Sequence, residues 1–345
     1  MQQPIEMKKG IFVGHLEFGN ARSFEKVLEM YNHRVENYYR NKIVLKAEDI
    51  FNEEDFSLVV PRAVMPVSSM YYKNTVNLLE YVSEFAISGN FKAWLLDKGN
   101  KLDERLIEPT GDKAATQYFL KGRELVDEKG RENDCMKALN RAIEKFERHA
   151  QAYERRGYHN FKAGNYEDAL YDFNKSIKIH AQNPLPYLGR AYVHMRKEDW
   201  AAAAADLEKV TGNSIAHEEI FWKGRLLKAK MYMKLKNFQK AKFELEQFTK
   251  RSARFEKTHD SYPHRAEAFG LLAEVYEALD MPREAVAAYT EALTLEPENL
   301  PWLVGRATAR KNAGQSGYLK DMKAAAKQGS KRATELLAEW KVKAK

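Results

Sequence analysis

A spacing of about 34 residues, the length of one stacked supersecondary unit, runs through the last two thirds of this chain. Aromatic residues recur at Phe119, Tyr153 and Tyr187, small ones at Cys135, Ala169 and Ala203, and large apolar ones at Leu139, Phe173 and Leu207, every step being the same. Ala142, Ser176 and Val210 make a further row, and Tyr166 pairs with Trp200 in the same phase. Such a period belongs to repeated units, none of which can bury its apolar face alone. The phase resumes a little late at Ala241, with Phe238, Leu245 and Phe248 around it, and again at Ala285 after a longer insertion. Ala307, Leu319 and Ala326 lie one regular step beyond Ala273, Ala285 and Ala292.

The residues on these rows resemble the tetratricopeptide repeat family. The unit 150–183 carries Tyr153, Gly157, the turn Gly164 to Tyr166, Ala169 and Phe173, and the unit 266–299 carries Phe269, Ala273, Tyr276, Ala285, Tyr289, Ala292 and Pro297. The unit 184–217 keeps Tyr187, Ala191, Trp200, Ala203 and Leu207. The first unit departs from the pattern, with Gly122 one place early and a charged turn at Arg131 to Asp134. The resemblance implies an α-solenoid of about six helix pairs over residues 113–345, closed by a capping helix at Lys331 to Lys343. The small residues let paired helices approach, and the aromatics fill the space between pairs. The stretch 249–264 is an insertion, and Pro263 marks a point where the preceding helix has ended.

Residues 1–112 do not share the period. Apolar spacing predicts helices over Arg22 to Arg40 and Tyr71 to Ala86, and β-prone runs fall at Lys9 to Val13, Ile43 to Leu45, Phe56 to Val67 and Phe91 to Leu96. The order βαββαβ predicts a small α+β domain, ferredoxin-like or with a profilin-like central antiparallel sheet. A turn follows at Lys98 to Asn100, and Lys101 to Asp112 reads as the linker. This segment matches no family. Residues 1–112 carry 14 basic and 17 acidic side chains and the remainder 43 and 32, so the two parts expose surfaces of opposite sign.

Composition narrows the function. Hydrophobic residues at 44% exclude a disordered chain, and no apolar run approaches the ~18 residues of a membrane span. No signal peptide is readable, and one cysteine allows neither a disulfide framework nor a cysteine zinc site, so a cytoplasmic location is expected. The N-terminal His15 and Glu17 alternate along a strand and could serve acid–base chemistry, although a polar strand face explains them as well. His259, Asp260 and His264 read as a solvated loop, and His217 to Glu219 as an acidic helix start. Cys135 occupies a packing slot. No phosphate loop is present, no cofactor or metal is expected, and the chain reads as a non-enzymatic adaptor or scaffold.

The repeat resemblance places the inner wall of the array on each first helix. The positions it makes exposed are Glu154, Arg155, Tyr158, Phe161 and Lys162, then Leu188, Tyr192, Met195 and Arg196, then Lys223, Leu226, Lys230, Met233 and Lys234. Cations interleaved with aromatics and methionines suit an acidic, partly apolar peptide or protein partner. Tyr158 and Gly189 stand where the family's two-carboxylate clamp needs polar residues, which disfavours a chaperone-tail ligand. The N-terminal domain is expected to dock another component or self-associate. Two alternatives compete: nucleic-acid binding through the lysine cluster from Lys230 to Arg254, and ligand sensing by the N-terminal domain.

Overall fold

The chain folds as a small antiparallel sheet domain followed by helix pairs, and the computed structural model describes residues 6–252 and 262–343. Five strands build the sheet: β1 (Lys8–Glu17), β2 (Phe51–Asn52), β3 (Ser57–Val67), β4 (Ser88–Asp97) and β5 (Asn100–Ile107), in the spatial order β2-β3-β1-β4-β5. All neighbours are antiparallel. Without β5 this is the split βαβ arrangement, in which each helical crossover skips one strand. Helices α1 (Ala21–His33) and α3 (Ser69–Ser83) supply those crossovers, and a short α2 (Ala47–Ile50) leads into β2.

Local chemistry sets these boundaries. The Asn20 side chain accepts a hydrogen bond from Ser23 N at 2.9 Å and starts α1, and Ser68 Oγ does the same for Tyr71 N at 3.3 Å at α3. A π-helical turn, Arg34–Tyr38, ends the first helical stretch, which the sequence reading ran on to Arg40. Phe12, Leu16, Leu58, Phe91 and Ala93 from the strands meet Phe24, Val27, Tyr31, Val76 and Leu79 from α1 and α3 in one core.

Two sequence expectations fail here. Ile43 to Leu45 forms no strand, because side chains take its backbone groups: Tyr31 OH donates to Leu45 O at 2.7 Å, and Val44 N donates to Thr75 Oγ1 at 3.0 Å. The expected linker from Lys101 is instead β5 as far as Ile107, so the domain is βαββαββ. Lys98 and Gly99 both adopt positive φ, 48° and 87°, which is the two-residue turn that folds a strand back on its neighbour.

Thirteen helices follow among the described residues: α4 (Ala114–Leu125), α5 (Glu132–Lys145), α6 (Ala150–Ala163), α7 (Tyr166–Ile179), α8 (Pro184–Arg196), α9 (Trp200–Asn213), α10 (Glu219–Lys234), α11 (Phe238–Ser252), α12 (Arg265–Ala278), α13 (Pro282–Leu295), α14 (Leu300–Asn312), α15 (Tyr318–Lys327) and α16 (Lys331–Lys343). In chain order they are six helix–turn–helix repeats and a final helix. The turn inside every repeat contains a left-handed residue in the same phase: Gly130, Gly164, Glu198, Lys236, Asp280 and Gly314, with φ between 55° and 84°. Their spacing repeats the irregular steps of the apolar rows. It is even from Gly130 through Glu198, longer to Lys236, longer still to Asp280, and regular again to Gly314. Thr249 to Ser252 belong to α11 and Tyr262–His264 form a 3₁₀ turn, whereas the rest of the insertion, with His259 and Asp260, lies outside the described residues.

The chain divides into two compact units, Met1–Val193 and His194–Lys345, so the division falls within α8 rather than at the sheet boundary. In the first unit the sheet domain is tied to the helix pairs. Gly89 N donates to Gln151 Oε1 at 2.9 Å, Thr116 Oγ1 to Ile87 O at 2.8 Å, and Arg148 Nη2 to Glu17 Oε1 at 2.9 Å. In the second unit each helix from α9 to α16 packs against the next.

Candidate functional site

In the first unit, α6 and α8 carry a row of aromatic side chains. Phe161 and Tyr192 stack with ring centres 6.0 Å apart, and Phe161 also meets Tyr166 at 5.9 Å. Tyr158 and Phe161 are half-buried and rest on the small core of Ala169, Phe173 and Val193. Their inner edges pack and their outer edges face solvent. Lys162 Nζ lies 4.9 Å from the Tyr158 ring and forms a 2.6 Å ion pair with Asp127, which holds the Asp127 carboxyl below its ordinary range. Arg155 is half-buried, with Nε 3.6 Å from Glu154 Oε2.

Glu154 and Leu188, expected to be exposed, are buried at 6% and 8%. The neighbouring Gln151 explains the burial on α6: it reaches Gly89 N, and its Nε2 lies 3.5 Å from Glu108 Oε1, so the sheet domain covers that end of the helix. Burial raises the Glu154 carboxyl above the ordinary range, with Arg155 opposing it.

In the second unit, Met195 and Met233 are half-buried, and Arg196 and Lys234 are exposed. Lys230 pairs with Glu267 at 2.6 Å, and Lys234 Nζ sits 5.7 Å from the Trp200 ring. Two of the expected groove cations, Lys162 and Lys230, therefore already hold a carboxylate from a neighbouring helix pair. Leu226, expected on the exposed wall, is buried.

Both units thus present helix pairs with small residues at the crossings and aromatics between the pairs. Residues 124–184 match one family model of the tetratricopeptide repeat, and residues 223–254 and 266–299 match another. These stretches are tetratricopeptide repeats. No family match falls on its sheet domain, and no curated protein matches the chain. Among solved structures it is similar to YrrB, a TPR protein with an unusual peptide-binding site, with TM-score 0.50 and 16% identity over 59% of this chain and 97% of YrrB. The C-terminal part of a TPR repeat-containing protein from Cytophaga hutchinsonii gives 0.50 and 15% identity, covering 65% of this chain and 88% of that one. PilF of Pseudomonas aeruginosa gives 0.50 and 14%, over 66% and 98%. These likenesses show the fold.

A periodic polar feature of this repeat protein went unnoticed in its sequence. On α6, Arg156 makes a two-pronged contact with Asp172 of α7, at 3.0 and 2.7 Å, and also donates to Asn140 Oδ1 at 2.7 Å. Asn160 adds a fourth bond, to Asp172 at 3.1 Å. Lys228 and Glu244 repeat the arrangement 2.9 Å apart between α10 and α11, and Arg306 with Asp321 between α14 and α15 at 2.8 Å. In all three the acid follows the base at almost the same distance along the chain, so the pairing follows the period and was there to be read. Such pairs fix the register of the two helices in a repeat.

The remaining candidates resolve into structural roles. His15 and Glu17 are buried with Nε2 and Oε1 3.1 Å apart, Arg148 holds the carboxylate, and the His180 ring meets His15 edge-on at 5.0 Å. That joint fastens the sheet to the repeats. Cys135 is buried, its thiol pushed up by burial and donating to Gly122 O at 3.4 Å. Glu218 Oε2 accepts from Ile215 N at the start of α10. Among the described residues, no group of three metal-ligating side chains occurs, and no helix is long and apolar enough to cross a membrane. The clamp position is closed by packing: a Cβ on Gly189 would stand 2.3 Å from the Phe173 ring.

Proposed function

We propose that this protein is a non-enzymatic adaptor whose repeats hold a partly apolar, acidic segment of another protein, the sheet domain serving docking or self-association. The observation that carries this reading is the half-exposed aromatic row Tyr158, Phe161 and Tyr192 on α6 and α8, bordered by Arg155 and Lys162. Half-exposed rings offer large contact area at low entropic cost, and a row of them on one surface is a binding feature. In the second unit, Met195 and Met233 with Arg196, Lys230 and Lys234 supply a surface of the same chemistry. That YrrB is a TPR protein with a peptide-binding site supports the class of ligand. The single, buried thiol Cys135 accords with a cytoplasmic setting.

A fluorescence-polarisation screen of synthetic peptides, each joining two carboxylates to one aromatic or leucine anchor, tests the reading. Tyr192→Ala should weaken the best binder by about tenfold or more, and Arg196→Ala by less than about fivefold, since exposed ion pairs are worth only ~0.2–1 kcal/mol. Binding should survive physiological salt. A loss of several orders of magnitude with salt, with Tyr192→Ala silent, would point to a polyanion and sink the peptide reading.

A further inference from the structure

The two edges of the sheet are built differently. On one side, β3 reaches well beyond the two-residue β2, and it carries Pro61 and Pro66, which cannot donate to a ladder. The other edge, β5, has no proline and, among the described residues, no strand beyond it. It also exposes two leucines, Leu102 at 50% and Leu106 at 57%. An open edge bearing apolar side chains is what proteins ordinarily avoid, unless the edge has a partner.

The residues of β5 specify what that partner is. A two-fold axis that keeps every side chain on its own face must pair one residue with its own copy. Centred on Glu104, the pairing sets Asp103 against Arg105 twice and brings Leu106 beside Leu102, the residue at which β5 slips by one against β4. Centred on Asp103, it sets Lys101 against Arg105, and centred on Arg105, it sets the two arginines together. A Leu102 centre also sets Lys101 against Asp103, but it pairs only residues 100–104, so the Glu104 register is the one complementary in charge and apolar contact over the body of the strand. Its central Glu104 already holds Trp94 Nε1 at 3.1 Å and Lys101 Nζ at 2.5 Å, which offsets the meeting of like charges. Asp103 and Arg105 of one chain lie 3.2 Å apart, so two copies would close a ring of four alternating charges. Pairs of a residue with its own copy occur in both the hydrogen-bonded and the non-hydrogen-bonded form, so either set of outward backbone groups can complete the ladder.

We propose that two copies of this chain join through β5, antiparallel and centred on Glu104, making one continuous ten-stranded sheet. This rests on the reading of the sheet domain as a self-association module and gives that module its surface. The contact is one strand wide, so the dimer belongs to the micromolar range rather than the nanomolar.

Analytical ultracentrifugation of the full chain at about 100 μM, far above a micromolar Kd, is the test. The expected species is a dimer of the 39.9 kDa chain. Asp103→Arg and Arg105→Asp each set like charges face to face and should each weaken the dimer by about tenfold or more. Mixed in equal amounts, the two single variants should form a heterodimer, because every reversed charge then meets its opposite. The double swap Asp103→Arg with Arg105→Asp should restore the homodimer, which separates lost pairing from damaged folding. A dimer indifferent to both reversals overturns the β5 interface while leaving self-association standing. A monomer at that concentration overturns both.

Discussion

Gly189→Ala probes the packing that closes the clamp position. Phe173 is 1% exposed and its ring lies between two helices at glycines, Gly157 of α6 and Gly189 of α8. A methyl at residue 189 would stand 2.3, 2.4 and 3.0 Å from three ring carbons, where ordinary contacts begin at 3.4 Å. The ring would have to retreat by about 1 Å in a close-packed interior. Retreat toward α6 is blocked, because a Cβ on Gly157 would already sit 2.9 Å from the same ring. Overpacking costs about 1–3 kcal/mol, and replacing glycine within a helix returns about 1 kcal/mol. With contacts as short as 2.3 Å the overpacking falls in the upper half of that range, about 2–3 kcal/mol, so the net is a destabilisation of about 1–2 kcal/mol. Gly212→Ala in α9 is the control: nothing lies within 4 Å of its Cβ, so the same substitution should be neutral or stabilising by about 0.5 kcal/mol. Denaturant melts give the totals, and hydrogen exchange of the α6 to α8 amides shows where the loss falls, since repeat arrays open in parts. Phe173→Leu should absorb part of the Gly189→Ala penalty, making the pair non-additive. A Gly189→Ala protein as stable as the parent would refute the wedge.

Two further outcomes follow from the same geometry. Burial lowers the His149 and His180 imidazoles to about 3 from 6.5, His15 adding to the effect at His180, so the unfolded chain takes up protons that the folded chain refuses. Their contribution is intact above the unfolded value and falls with pH below it, by about 1.4 kcal/mol per unit for each histidine. His149 Nδ1 accepts from Ala152 N at the start of α6, a cap that protonation would abolish. His149→Asn keeps an acceptor there without titrating, so its stability should fall less steeply below pH 6, and an unchanged slope in acid melts would count against this. At the left-handed turn residue Lys236, φ 56°, Lys236→Gly should add about 1 kcal/mol in a denaturant melt, while Gly164→Lys at the equivalent turn should lose as much.

The repeat region was legible because its constraints recur. The small residues Ala169, Ala203, Ala241 and Ala285 are each fully buried, so the same constraint returns, the phase survives insertions and it is marked again by the left-handed turns. The sheet domain states each constraint once. Ile43 to Leu45 is β-prone, yet Tyr31 OH and Thr75 Oγ1 hold its backbone groups from helices far away in sequence, and no local pattern signals that. β5 escaped for a different reason. Its LDERL run is charged like a linker, and only the turn at Lys98 and Gly99 shows that the chain doubles back along β4.

The candidate site was legible in residue type and not in state. Tyr158, Lys162, Tyr192 and Lys230 do lie on the first helices of their pairs, but the sequence reading counted each charge alone. Asp127 precedes Lys162, and Glu267 follows Lys230, by close to one repeat in both cases, so the period that stacks the helices also supplies each lysine with an acid. An acidic partner therefore exchanges one carboxylate for another at these two sites, and the exchange yields less than the ~0.2–1 kcal/mol of a new exposed pair. Covering the outer edges of the aromatic row involves no such exchange of charges. On the proposed reading, selectivity for a ligand in the first unit would then depend on what Tyr158, Phe161 and Tyr192 cover, with Arg155 and Lys162 setting orientation and encounter rate more than affinity.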